Sequence, residues 1–110
     1  NDLTVIERAR LALAELLLAR ECRFDPLIED PPLARIEPSG EVVHVGLVWP
    51  AQDIGLPGPQ CEIVARWRSL VIGRFVLTPR AGRPVSLERR VAAVSVVDAA
   101  AAALAGGDRG

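Results

Sequence analysis

Residues 61–78 read Cys61-Glu62-Ile63-Val64-Ala65-Arg66-Trp67-Arg68-Ser69-Leu70-Val71-Ile72-Gly73-Arg74-Phe75-Val76-Leu77-Thr78. Two runs of alternating β-branched and aromatic residues flank a short polar turn, the pattern of a β-hairpin. Strands over Cys61–Trp67 and Val71–Thr78, joined by the three-residue loop Arg68-Ser69-Leu70, set Trp67 opposite Val71, Ala65 opposite Gly73 and Ile63 opposite Phe75. One face is then wholly apolar: Ile63, Ala65, Trp67, Val71, Gly73, Phe75 and Leu77. The other carries Glu62, Val64, Arg66, Ile72, Arg74, Val76 and Thr78. A two-residue loop would mix the two sets and bury arginines without partners, so the three-residue loop is the expected one.

On the C-terminal side, Pro79 and Gly82-Arg83-Pro84 end the hairpin, and Ser86 is positioned to cap a helix running to about Leu104 and closed by Gly106. Before the hairpin, Pro50, Gly55, Pro57, Gly58 and Pro59 mark a loop over 50–60, and Val-rich Glu41–Trp49 reads as one strand. Residues 23–40 hold Pro26, Pro31, Pro32 and Pro38 and read as a linker with a short strand near Leu33–Glu37. The chain opens with a Gly- and Pro-free helix to Cys22, capped by Thr4 with Glu7, or by Asp2 one turn earlier. Val5, Ile6, Ala9, Ala12, Leu13, Leu16, Leu17 and Ala19 form its broad apolar face, and Leu11, Ala14 and Leu18 a second stripe.

The expectation is one α+β domain: helix 1–22, an antiparallel sheet of three to five strands within 33–78, helix 86–105 and a frayed tail 106–110, with both helices on the Trp67–Phe75 face. A chain of 110 residues, half of them apolar, has room for a single core. A net charge of −1 gives no field that would draw it to nucleic acid. All thirteen basic residues are Arg, with no Lys, Met or Tyr, a bias read as that of a GC-rich genome. Cys22 and Cys61 match no metal or redox spacing and read as buried, reduced thiols, so neither a metal nor another cofactor is expected. No segment reaches the roughly 18 uninterrupted apolar residues of a membrane span. The opening at Asn1 in place of Met reads as a piece excised from a longer chain.

Several of these segments resemble a known family. Ile63-Val64-Ala65-Arg66, a polar turn, and Val71-Ile72-Gly73-Arg74-Phe75-Val76-Leu77 resemble the late hairpin of GAF domains. Pro84-Val85-Ser86-Leu87-Glu88-Arg89-Arg90 and the Ala-rich helix after it resemble the family's closing segment, and the opening helix fits a signalling helix. The Pro-rich stretch between Cys22 and Glu41 is too short for the lid under which GAF ligands bind, and no cyclic-nucleotide or chromophore signature is present. The resemblance implies a reduced GAF-like regulatory domain of a bacterial sensor, cytoplasmic or the cytoplasmic part of a membrane protein, fused in its parent to membrane or kinase domains.

Function at this stage divides between association and binding. The surplus stripe Leu11, Ala14 and Leu18, with the small-residue stripe Ala92, Ala99 and Ala102, predicts a homodimer through the terminal helices. The alternative is a small-molecule anion site on one sheet face, formed by His44, Arg66 and Arg74, with Trp49 as a stacking platform. An enzyme is not expected, because the sole histidine has no Ser, Cys or Asp at motif spacing. Glu29-Asp30 lacks the oxygen ligands of a Ca²⁺ loop, and the prolines of Gly55-Leu56-Pro57-Gly58-Pro59 remove amides a phosphate cradle needs. Arg89-Arg90, at the cation-unfavourable end of a helix, read as surface ion-pairing or partner-contact residues.

Overall fold

A computed structural model describes residues 1–30 and 34–106; the tail 107–110 and part of the expected strand at Leu33 lie outside the described residues. The chain runs α1 (Asp2–Leu16), β1 (Glu21–Asp25), β2 (Ala34–Ile36), β3 (Val42–His44), β4 (Leu47–Trp49), α2 (Ala51–Ile54), β5 (Cys61–Trp67), β6 (Leu70–Thr78) and α3 (Leu87–Gly106). The α+β architecture is as expected, with a helix, a sheet and a closing helix. The sheet departs from expectation in two ways: it has six strands, ordered β1-β6-β5-β2-β3-β4, and it is mixed, because β2 and β5 run parallel.

The central hairpin keeps the expected register through most of its length. Ile63 faces Phe75, Ala65 faces Gly73 and Cys61 faces Leu77. Only its tip differs. A bulge between Ala65 and Arg66 sets Arg66 opposite Val71 and Trp67 opposite Leu70, leaving a two-residue turn with Arg68 at φ 58°. The bulge absorbs the extra residue, so the shorter turn does not mix the two faces nearer the core. Val71 turns outward, and Ile72 packs against the core in its place.

α1 starts at Asn1, whose Oδ1 accepts from the Thr4 amide at 3.0 Å, so the N-cap is neither Thr4 nor Asp2. It ends at Leu16, six residues short of the expected Cys22. The Ala19 amide donates to the Ala14 carbonyl and the Leu18 amide to the Glu15 carbonyl, the paired bonds of a Schellman cap. Leu18 stands at φ 53° where glycine is the usual occupant, so the stop carries no glycine to mark it. Beyond the cap the chain enters β1, an edge strand paired along β6 from Glu21 opposite Thr78 to Asp25 opposite Arg74. Pairing overrides the helical preference of these residues.

Glu41–Trp49 is likewise not one strand but the hairpin β3–β4, turning at Val45 (φ 52°) and Gly46 (φ 74°). The 50–60 loop contains the single turn α2. The closing helix agrees with expectation to within a residue, and Ser86 Oγ accepts from the Arg89 amide at 3.2 Å.

Both helices pack on the Phe75 face. Ala9, Leu13 and Leu17 from the first helix and its cap, and Ala93, Val97 and Ala101 from α3, close over Cys22, Ile63, Ala65, Phe75 and Leu77. The Phe24 and Phe75 rings lie 5.0 Å apart across β1 and β6. Full burial of a side chain such as Phe75 contributes about 1.5–3 kcal/mol. α1 and α3 are antiparallel: Arg89, in the first turn of α3, donates to the Glu15 and Leu16 carbonyls at the end of α1. Farther along, Val5, Ala9 and Ala12 meet Val96, Ala99 and Ala100. The start of α1 and the end of α3 therefore share one end of the molecule. Neither α1 nor α3 is long and apolar enough to cross a membrane.

Candidate functional site

The sheet face away from the helices is not open to solvent at its centre. Arg74 and Glu62 are fully buried there, joined at 2.9 Å from Nη1 to Oε1. β5 and β6 set the carboxylate and the guanidinium side by side on one face. Arg35, brought alongside by the parallel pairing of β2 with β5, donates to Glu62 Oε2 from Nε at 2.8 Å and from Nη2 at 2.7 Å. Asp25, opposite Arg74 in the register, accepts from its Nε at 2.9 Å.

The link from β1 to β2 must pass β6 and β5. Within it, Asp30 comes 3.5 Å from Arg74 Nη2, which has no hydrogen-bond acceptor among the described residues. Burial opposes the charge on Arg74, but Glu62 and Asp25 outweigh it and hold its pKa above the usual arginine value. The Asp25 carboxylate, accepting from the Leu27 and Ile28 amides and from Arg74, titrates below the usual carboxylate range.

This network answers the anion-site expectation. Arg66 shares the face of Arg74 and is exposed, but Arg74 is enclosed and matched by carboxylates. His44 lies on the opposite face: Arg35 pairs with Val43 on the charged side, so its neighbours Val42 and His44 point to the helix side. The three residues do not converge, and the correction comes from the sheet order, which a single sequence does not contain. Trp49 does join His44. Their rings meet edge to face at 5.4 Å, while the indole Nε1 donates to the Gly55 carbonyl at 2.7 Å. His44 also borders an open concavity of about 620 Å³ at the hairpin tip, with Arg35, Glu37, Val43 and Gly58–Gln60.

The residues expected at a dimer surface divide as well. Leu11 is 66% exposed and Ala99 is exposed, whereas Ala14 is half-buried against the core. Leu18 is half-buried in the cap beyond α1, so the stripe Leu11–Ala14–Leu18 does not run along one helix. Ala92 and Ala102 are half-buried on α3. What the structure opens to solvent instead is the seam between the two helices, an apolar trough of about 350 Å³ lined by Val5, Ala9, Ala12, Val96, Ala99 and Ala100, with Arg8 at its edge.

Arg89 and Arg90 are neither of them surface ion-pair residues. Arg89 caps the carbonyl end of α1, where a cation is favoured. Arg90 is 3% exposed and bonded only to neutral acceptors, and burial pulls its pKa down. Sequence reasoning missed the network that Asp25, Arg35 and Glu62 form with Arg74, and separately the burial of Arg90. The available signal was Glu62, a carboxylate between Cys61 and the apolar run Ile63-Val64-Ala65. Both thiols are buried and pushed up to about 12, and no three His, Cys, Asp or Glu converge on a metal position among the described residues. The chain matches no family model, no curated protein and no solved structure.

Proposed function

We propose that this chain is a non-catalytic regulatory and dimerisation module, GAF-like in kind, of a cytoplasmic bacterial signalling protein. The observation that carries the reading is the apolar trough in the seam between α1 and α3, lined by Val5, Ala9, Ala12, Val96, Ala99 and Ala100, together with exposed Leu11 elsewhere on α1. Small side chains at Ala12, Ala99 and Ala100 allow a second helix pair to approach closely, the surface an isologous two-fold contact needs. The shared end of α1 and α3 supports a regulatory role, since a change in how two copies pack moves both chain ends together. Two features favour a non-catalytic role. The buried and half-buried charges Arg74, Glu62, Asp25 and Arg35 are matched to one another, and thiols held near 12 carry no thiolate at neutral pH.

Sedimentation velocity tests the reading on the wild type and on the variants Leu11→Glu and Ala99→Glu. Both positions are exposed, so neither substitution disturbs the core. The expected result is a wild-type dimer at micromolar concentrations and variants that melt like the wild type but sediment as monomers. A wild-type monomer at high micromolar concentration removes the association role.

A further inference from the structure

Two arginines are buried among the described residues, and they are treated differently. Arg74 is surrounded by carboxylates. Arg90 has no carboxylate within salt-bridge distance among the described residues. Its Nε donates to the Val85 and Ser86 carbonyls at 3.2 and 3.3 Å, Nη1 to the Gly40 carbonyl at 2.8 Å and Nη2 to Gln52 Oε1 at 3.1 Å. A guanidinium has five N–H groups. Those bonds occupy the Nε proton and one proton on each terminal nitrogen, leaving one uncommitted on Nη1 and one on Nη2.

Arg90 lines a cavity of about 440 Å³ with Trp49, Gln52, Val48, Leu87 and Glu41. The volume lies within the usual range for small-molecule sites, and the lining mixes apolar side chains with the polar Ser39, Glu41, Gln52 and Arg90. Val48 is 65% exposed and Leu87 53%, so the mouth is apolar, while the Trp49 indole N–H is already committed to Gly55. The cavity also adjoins the first turn of α3, whose positive end adds to the field of the guanidinium. A fixed cation with no carboxylate at salt-bridge distance, lining an open, apolar-mouthed cavity, is an arrangement that recognises an anionic head on an apolar body.

We propose that this cavity binds a small monocarboxylate with a compact apolar body, its carboxylate on the terminal nitrogens of Arg90 and its body against Trp49, Val48 and Leu87. Glu41, on the cavity wall, opposes a second negative charge, so phosphate monoesters of the same size bind less well. The site is independent of the helix seam and of any dimer.

The test tracks the Trp49 indole N–H resonance of the full chain by NMR, distinguished from that of Trp67 by the variant Trp67→Phe. The probes are 4-methylpentanoate, 4-methylpentanamide and butyl phosphate. A saturable shift is expected with the carboxylate, with affinity at least about tenfold weaker for the neutral amide, which lacks the charge that pairs with the guanidinium. Glu41→Gln should narrow the gap between butyl phosphate and the carboxylate. Leu87→Asp, at an exposed position on the rim, should abolish binding without lowering the melting temperature, which separates loss of the site from loss of the fold. No saturable shift at millimolar carboxylate, equal affinity for the amide, or unchanged binding by Leu87→Asp each overturns the proposal.

Discussion

Replacing Glu62 by Leu would leave Arg74 inside the protein without its fully buried counter-charge. Arg74 is fully buried and Glu62 is 1% exposed, so solvent cannot relax to compensate. Removing one member of a buried pair costs about 3–5 kcal/mol when the other charge is left unmatched, and because Asp25 still pairs with Arg74 the loss expected here is at the lower end, about 3 kcal/mol. The Arg35 arm adds little, because that side chain is 34% exposed and a partly solvated pair contributes less than about 1 kcal/mol. For a domain whose total stability is about 5–15 kcal/mol this is a large fraction. With a urea slope of about 1–3 kcal/mol per molar, the midpoint should fall by roughly 1–3 M.

The double variant Glu62→Leu/Arg74→Met is the informative partner. It removes both charges and fills the space with apolar volume, and it should recover to within about 1 kcal/mol of the wild type. Urea melts monitored by far-ultraviolet circular dichroism and by tryptophan fluorescence measure the wild type, the two single variants Glu62→Leu and Arg74→Met, and the double variant. A loss below about 1 kcal/mol in Glu62→Leu would mean that Arg74 reaches solvent. Additive single losses in the double variant would mean that the two residues do not interact. Either result refutes the buried network.

The same geometry makes three further outcomes testable. Gly73→Ala would put a Cβ 2.7 Å from Phe24 Cζ and 2.8 Å from the Asp25 carbonyl, so a loss of about 1–3 kcal/mol is expected in denaturant melts, and no loss would contradict the pairing of β1 with β6. Because the folded-state pKa of Asp25 is depressed, its contribution is complete above the unfolded value near 4 and is lost as pH falls through the folded value. Asp25→Asn should therefore flatten the acid limb of a stability–pH profile below about pH 4, and an unchanged limb would assign acid unfolding elsewhere. With both thiols pushed up to about 12, native-state labelling of Cys22 and Cys61 by a disulfide reagent at neutral pH should proceed only at the rate of opening. Prompt labelling of either would show an accessible, activated thiol.

The parts of this fold legible in the sequence are those governed by local rules. The pairing of Ile63 with Phe75 and of Ala65 with Gly73 comes from strand alternation, because a slip of one residue would send arginine into the core. Ser86 ahead of a long apolar-faced run placed α3, and the apolar face of the hairpin placed both helices on the Phe75 side. The exposed residues Leu11 and Ala99 were legible as candidates for association, since surface apolar residues beyond what a core needs stand out in a helical pattern.

Pairing at a distance was settled only by the folded chain. Leu17–Cys22 consists largely of helix-forming residues, yet the chain turns at Leu18 with no glycine and enters a strand, because β6 offers an open edge of backbone hydrogen bonds. The parallel alignment of β2 with β5 joins residues far apart in sequence and leaves no periodic trace in either strand. That same alignment brings Arg35 to Glu62, and the neighbouring strands bring Asp25 to Arg74, making an ion network of residues that each look solvated in isolation. His44 and Arg74 fall on opposite faces for the same reason. Alternation places a side chain within its own strand, but only the order and direction of strands in the sheet say which side chains meet.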